Sequence, residues 1–124
     1  MSKKLKVGIA SLTDYKARTL AIARGEHKPS KDEPKVWFRS MESFAKVLSD
    51  RNRVLLATIA ATHPRSVNEL AERTGRAPSN VSRTLRTMER YGLVQFEAGE
   101  GKARMPRVPY SEITLDVQLD RQSA

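Results

Sequence analysis

The chain has 124 residues, with 23 Lys and Arg against 14 Asp and Glu, and no cysteine. That length suits one small domain with arms. The lack of cysteine excludes disulfides, thiolate metal sites and a cysteine nucleophile, and it fits a reducing cytoplasm.

No apolar run approaches the ~20 residues of a membrane span, so the expectation is a cytoplasmic protein with no membrane partner. The formal charge of +9 is unevenly spread. Residues 1–50 carry 11 cations against 6 anions, residues 51–110 carry 11 against 5, and residues 111–124 carry 1 against 3. The first segment is mainly lysine, whereas in the second every cation but Lys102 is arginine. Guanidinium forks suit phosphates and guanine edges; an ammonium is a solvated point charge. A basic balance by itself is equally a soluble surface, and it gains meaning only where it coincides with a binding motif.

Taken in order, Lys4–Ala10 alternates apolar with polar or small residues, the period of a strand. Ser11 caps a helix with Asp14 in its first turn, Leu12, Tyr15, Thr19 and Ile22 on one face, and an end near Gly25. Residues 26–35 are polar with two prolines and read as a linker. Val36–Phe38 is a brief second strand. Ser40 caps a short helix carrying Met41, Phe44, Val47 and Leu48. Ser49 or Asp50 caps a longer one, with Val54, Leu55, Thr58 and Ile59 inward. It stops at His63-Pro64, because a residue before proline resists the helical region.

The most informative stretch follows. Ser66 and Glu69 have the spacing of a capping box, and Val67, Leu70 and Ala71 point inward. Gly75 sits where the chain must reverse, in a backbone region glycine enters cheaply. Pro78 suits a first helical turn, where its missing N–H is no loss. Val81, Leu85 and Met88 hold the second helix to a core. Its opposite face presents Ser79, Asn80, Ser82, Arg83, Arg86, Thr87 and Arg90. Gly92 ends it. Leu93–Glu97 reads as a strand and residues 98–104 as a flexible basic loop, with Gly99 and Gly101 at its tip and Lys102 and Arg104 supplying charge. Two prolines demote residues 105–110 to the edge half of a return strand. Ser111–Leu119 resumes the alternation, with Ile113, Leu115, Val117 and Leu119 on one face. Residues 120–124 are expected to fray.

Helix, turn, helix, strand and basic loop is the order of a winged helix-turn-helix. The expected fold is α+β: a three-helix core plus a β-hairpin wing, with an N-terminal strand–helix arm. The division is an arm and linker at 1–35, a winged-helix DNA-binding domain at 36–119 and a tail at 120–124. The arm either dimerises or pairs within the chain with Val36–Phe38. Short polar residues at the start of the second helix can approach base edges, and Arg83 and Arg86 can reach guanine or phosphate. Lys102 and Arg104 would meet phosphate or the minor groove. The DNA-binding set is Ser66, Arg76, Pro78, Ser79, Asn80, Ser82, Arg83, Arg86, Thr87, Lys102 and Arg104.

The segment Thr74–Glu97, TGRAPSNVSRTLRTMERYGLVQFE, resembles the recognition helix and first wing strand of MarR- and ArsR-type regulators. Those families carry an S-x-V-S-R-x-L-x-x-L-E-x-x-G-L-V run, matched here at Ser79, Val81, Ser82, Arg83, Leu85, Met88, Glu89, Gly92, Leu93 and Val94. The resemblance implies a transcriptional regulator, commonly a repressor, binding a pseudo-palindromic operator in double-stranded DNA as a homodimer. The whole chain is also similar to short MarR-like regulators with a strand–helix arm and a V-P-Y-x-x-I stretch, here Val108–Ile113. Some of these are antitoxins that bind a toxin protein and repress their own operon, which is the alternative function. RNA binding through the same basic face is a third. The chain lacks the long terminal helices of full-length MarR repressors.

No cofactor, metal site or enzymatic activity is expected. His27 and His63 have no nearby carboxylates in a ligand pattern. Ser11, Ser49 and Ser66 read as caps, and Gly99-Glu100-Gly101 has no following helix to make a phosphate loop.

Overall fold

The computed structural model describes residues 3–119; the expected frayed end at 120–124 lies outside them. Strand β1 (Lys4–Ile9) leads through Ser11 into helix α1 (Leu12–Ala23), and the linker returns to strand β2 (Val36–Phe38). Helices α2 (Met41–Val47), α3 (Asp50–Thr62), α4 (Val67–Thr74) and α5 (Pro78–Tyr91) follow. Strands β3 (Gln95–Ala98) and β4 (Arg104–Arg107) form a hairpin, and β5 (Glu112–Asp116) closes the described chain.

The helix starts obey local chemistry. Ser11, Ser40, Ser49 and Ser66 each accept a hydrogen bond from an amide of the following turn, satisfying a donor the helix cannot. The capping box is half made. Ser66 Oγ accepts from the Glu69 amide, but the Glu69 carboxylate pairs with Arg73 at 2.7 Å, which holds its pKa below the ordinary carboxylate value.

Two sheets result. The wing pairs β3 with β4 antiparallel, with Phe96 opposite Pro106. The other sheet is parallel, in the order β2-β1-β5, with Val7 opposite both Val36 and Leu115. Parallel neighbours need a crossover. Helix α1 and the linker provide it from β1 to β2, and the whole winged helix lies between β2 and β5 in the chain. Of the two arrangements open for the arm, pairing of Leu5–Ala10 with Val36–Phe38 inside the chain is the one found. Val7, Val36 and Phe38 belong to the same buried cluster as Leu55, Leu70 and Leu85, so arm and winged helix share one core. Aromatic packing joins them: Phe38 stacks on Tyr91 at 4.3 Å and meets Phe44 edge-on at 5.4 Å.

Three expectations are corrected. Ser111–Leu119 is not the second half of the wing's return strand, because Glu112–Asp116 pairs with β1. Alternation specifies which face a strand buries and says nothing of its partner. The Tyr110 hydroxyl, donating to the Leu93 carbonyl at 2.8 Å, pins the chain where it leaves the wing. Of the α1 face expected on Leu12, Tyr15, Thr19 and Ile22, the first three lie in solvent; Ile22 is half-buried, and Arg18 and Ala21 are half-buried beside it. Arg18 pairs with Glu33 at 2.7 Å and lies 5.2 Å from the Trp37 ring, so an ion pair and a cation–π contact dock this helix in place of an apolar stripe. In α3, Val54 is 59% exposed, and Leu56 joins Leu55 and Ile59 in the core.

Candidate nucleic-acid interface

Helix α5 is set by three buried residues, Val81, Leu85 and Met88, spaced so that one stripe faces the core. That anchoring forces the opposite stripe outward. Ser79, Asn80, Arg83, Arg86 and Arg90 are exposed, and Ser82 and Thr87 are half-exposed at the flanks. Pro78 occupies the first turn, exposed. Gly75 and Gly92 bracket the helix, both in the left-handed region at φ 69° and 88°.

The helix stands as a ridge between two grooves. The groove on the wing side, about 410 Å³, is bordered by Ser66 and Asn68 at the start of α4, by Ser82 and Arg86 of α5, and by Lys102 and Arg104 of the wing. Five residues of the sequence-derived set therefore converge there. The groove on the other side, about 360 Å³, takes in Arg83 and Thr87 with Lys46 and Asn52. The side chains of Arg83, Arg86 and Lys102 make no hydrogen bond or ion pair among the described residues. Nearby acids neutralise other arginines: Asp50 pairs with Arg53, Glu69 with Arg73, Glu89 with Arg104 and Glu97 with Arg107. Carboxylates thus balance the flanks and leave the crest of α5 cationic.

Two members of the expected set also make contacts within the chain. Arg104 pairs with Glu89 at 3.3 Å and stacks 4.4 Å from the Phe96 ring, fastening the wing to α5. Arg76 is half-buried in the turn before α5, where Asn52, Asn80 and Thr84 accept hydrogen bonds from it. Burial, with Arg51 beside it, lowers its pKa from the ordinary arginine value.

The residues missed from the sequence are Asn52 and Asn68. Asn68 follows the Ser66 cap at an outward position, a signal present in the local pattern. Asn52 meets Arg76 across 24 positions, and no local pattern carries that. No helix among the described residues is long and apolar enough to cross a membrane.

A three-helix unit (α3, α4, α5) with a hairpin beside its last helix defines a winged helix-turn-helix protein. A family model described as HVO_A0114 matches residues 47–115, from the end of α2 into β5. That is more than half of the chain, and the chain belongs to the HVO_A0114 family. No curated relative matches it. Among solved structures it is similar to one described as "Crystal structure of the predicted DNA-binding transcriptional regulator from E. coli". The two share 18% identity at a TM-score of 0.46, over 74% of this chain and 81% of that one.

Proposed function

We propose that the protein is a sequence-specific double-stranded DNA-binding transcriptional regulator acting as a homodimeric repressor, by binding and without a catalytic step. Helix α5 enters the major groove, and Lys102 at the wing tip meets backbone or minor groove. The observation that carries this reading is the unpaired cationic crest of α5, Arg83 and Arg86, flanked by short polar residues, with Arg86 sharing a groove with the wing. One such helix spans only a few base pairs, and two half-sites a helical turn apart give usable specificity. Both edges of β1 are used within the chain, so a second copy would meet another surface. The exposed Leu12, Tyr15 and Leu20 of α1 are among the apolar residues available for it.

The test is binding to duplexes drawn from the protein's own genome. Arg83→Ala should weaken the selected site by ~1–3 kcal/mol and relax its sequence preference, and Lys102→Ala should weaken all sequences alike and lower the salt slope by about one contact. Unaltered binding by both variants, or preference for folded RNA over any duplex, overturns the reading. Sedimentation of the free protein and of its complex reads the dimer.

A further inference from the structure

Arg76 occupies the turn between α4 and α5, half-buried. One guanidinium nitrogen, Nη1, donates to Asn52 Oδ1 at 3.2 Å. The other, Nη2, donates to Asn80 Oδ1 and to Thr84 Oγ1, the latter at 3.4 Å. Asn52 is itself locked, because its Nδ2 donates to the Val47 carbonyl at 3.0 Å. The Arg76 Nε is buried and has no partner among the described residues, so the guanidinium is held by these contacts alone. Asn80 is exposed in the first turn of α5, on the crest that carries Arg83.

A guanidinium has donors and no acceptor. The amide atom it meets on each asparagine is therefore oxygen. For Asn80 this fixes the amide orientation: Oδ1 is turned back to Arg76, and Nδ2 is left for whatever lies outside. A free asparagine pairs with adenine through both atoms, the oxygen accepting from N6 and the nitrogen donating to N7. At Asn80 the oxygen already carries a cation, and that cation repels a second donor.

We infer that Arg76 makes Asn80 a donor-only reader, so that the base facing Asn80 is guanine, with acceptors at both O6 and N7, or thymine, with O4, in preference to adenine, whose N7 stands beside an N6 donor that the occupied oxygen no longer answers. Arg76 is then a positioning residue for specificity, held in turn by Asn52 at the start of α3. The inference rests on the DNA-binding reading above.

The experiment selects binding sites from randomised duplexes with the full chain as wild type, Asn80→Ala, Arg76→Met and Asn52→Ala, each checked by thermal melting. Asn80→Ala marks the facing position as the one whose preference flattens. There the wild type should favour guanine or thymine over adenine by about tenfold, the discrimination of one good base contact. Arg76→Met should bring adenine to parity or above at that position only. Asn52→Ala should move it the same way by less, and it keeps the inference testable if Arg76→Met fails to fold. Adenine preferred by the wild type, no position flattened by Asn80→Ala, or a uniform loss of affinity with unchanged preference in both other variants overturns the inference and leaves the DNA-binding reading standing. A wild type that selects no duplex overturns both.

Discussion

Tyr110 shows how one side chain joins the two halves of the molecule. Its hydroxyl reaches back to the Leu93 carbonyl, and burial raises its pKa from 10.0 to about 12. The folded state thus binds this proton more tightly than the unfolded chain does. The associated stability is fully present below pH 10 and is lost as pH rises through about 12. Tyr110→Phe should cost ~1 kcal/mol at neutral pH, the loss of one hydrogen bond. It should also remove a phenol step near pH 12 from an ultraviolet pH titration. An unchanged titration would place that proton elsewhere. Gly8 is the other constrained residue: a Cβ there would lie 2.6 Å from the Trp37 ring and 2.9 Å from Pro34. The glycine is what lets the Trp37 ring approach the central strand so closely.

Among the elements, α4 depends on its ends as well as its packing. At eight residues it is too short to stand alone, so its cap and its packing through Leu70 and Ala71 must hold it. Ser66→Ala should lower stability by ~1 kcal/mol. It should also raise amide exchange at Asn68 and Glu69 before the rest of the domain, readable by hydrogen exchange. Uniform exchange across α4 and α5 would mean that the cap has no local role. The wing is fastened differently. Arg104 ties it to Glu89 of α5, and Gly101 at φ 62° turns its tip, where Lys102 is exposed.

On the scale of the molecule, the decisive feature is the parallel sheet that stitches both ends of the described chain together. Its central strand β1 takes β2 on one side and β5 on the other, and Val7 is buried between them. A chain ending at Tyr110 would leave that strand with an open edge beside Leu5 and Val7, a surface that invites association. The shortened protein should melt at lower temperature and elute from a sizing column as larger species. Unaltered melting and elution would show that β5 contributes nothing to the fold.

The caps, the Gly75 turn, the stripe of Val81, Leu85 and Met88 and the opposed cationic face were all legible in the sequence. Each depends on spacing within a few residues, and backbone geometry converts spacing into a face. The partner of Glu112–Asp116, the docking of α1 through Arg18 and Glu33, and the pairing of Arg76 with Asn52 and of Arg104 with Glu89 came only from the tertiary structure. In each case the deciding contact joins residues far apart in the chain: a strand's alternation names no partner, and an arginine's position on a helix does not say which acid or amide lies within reach.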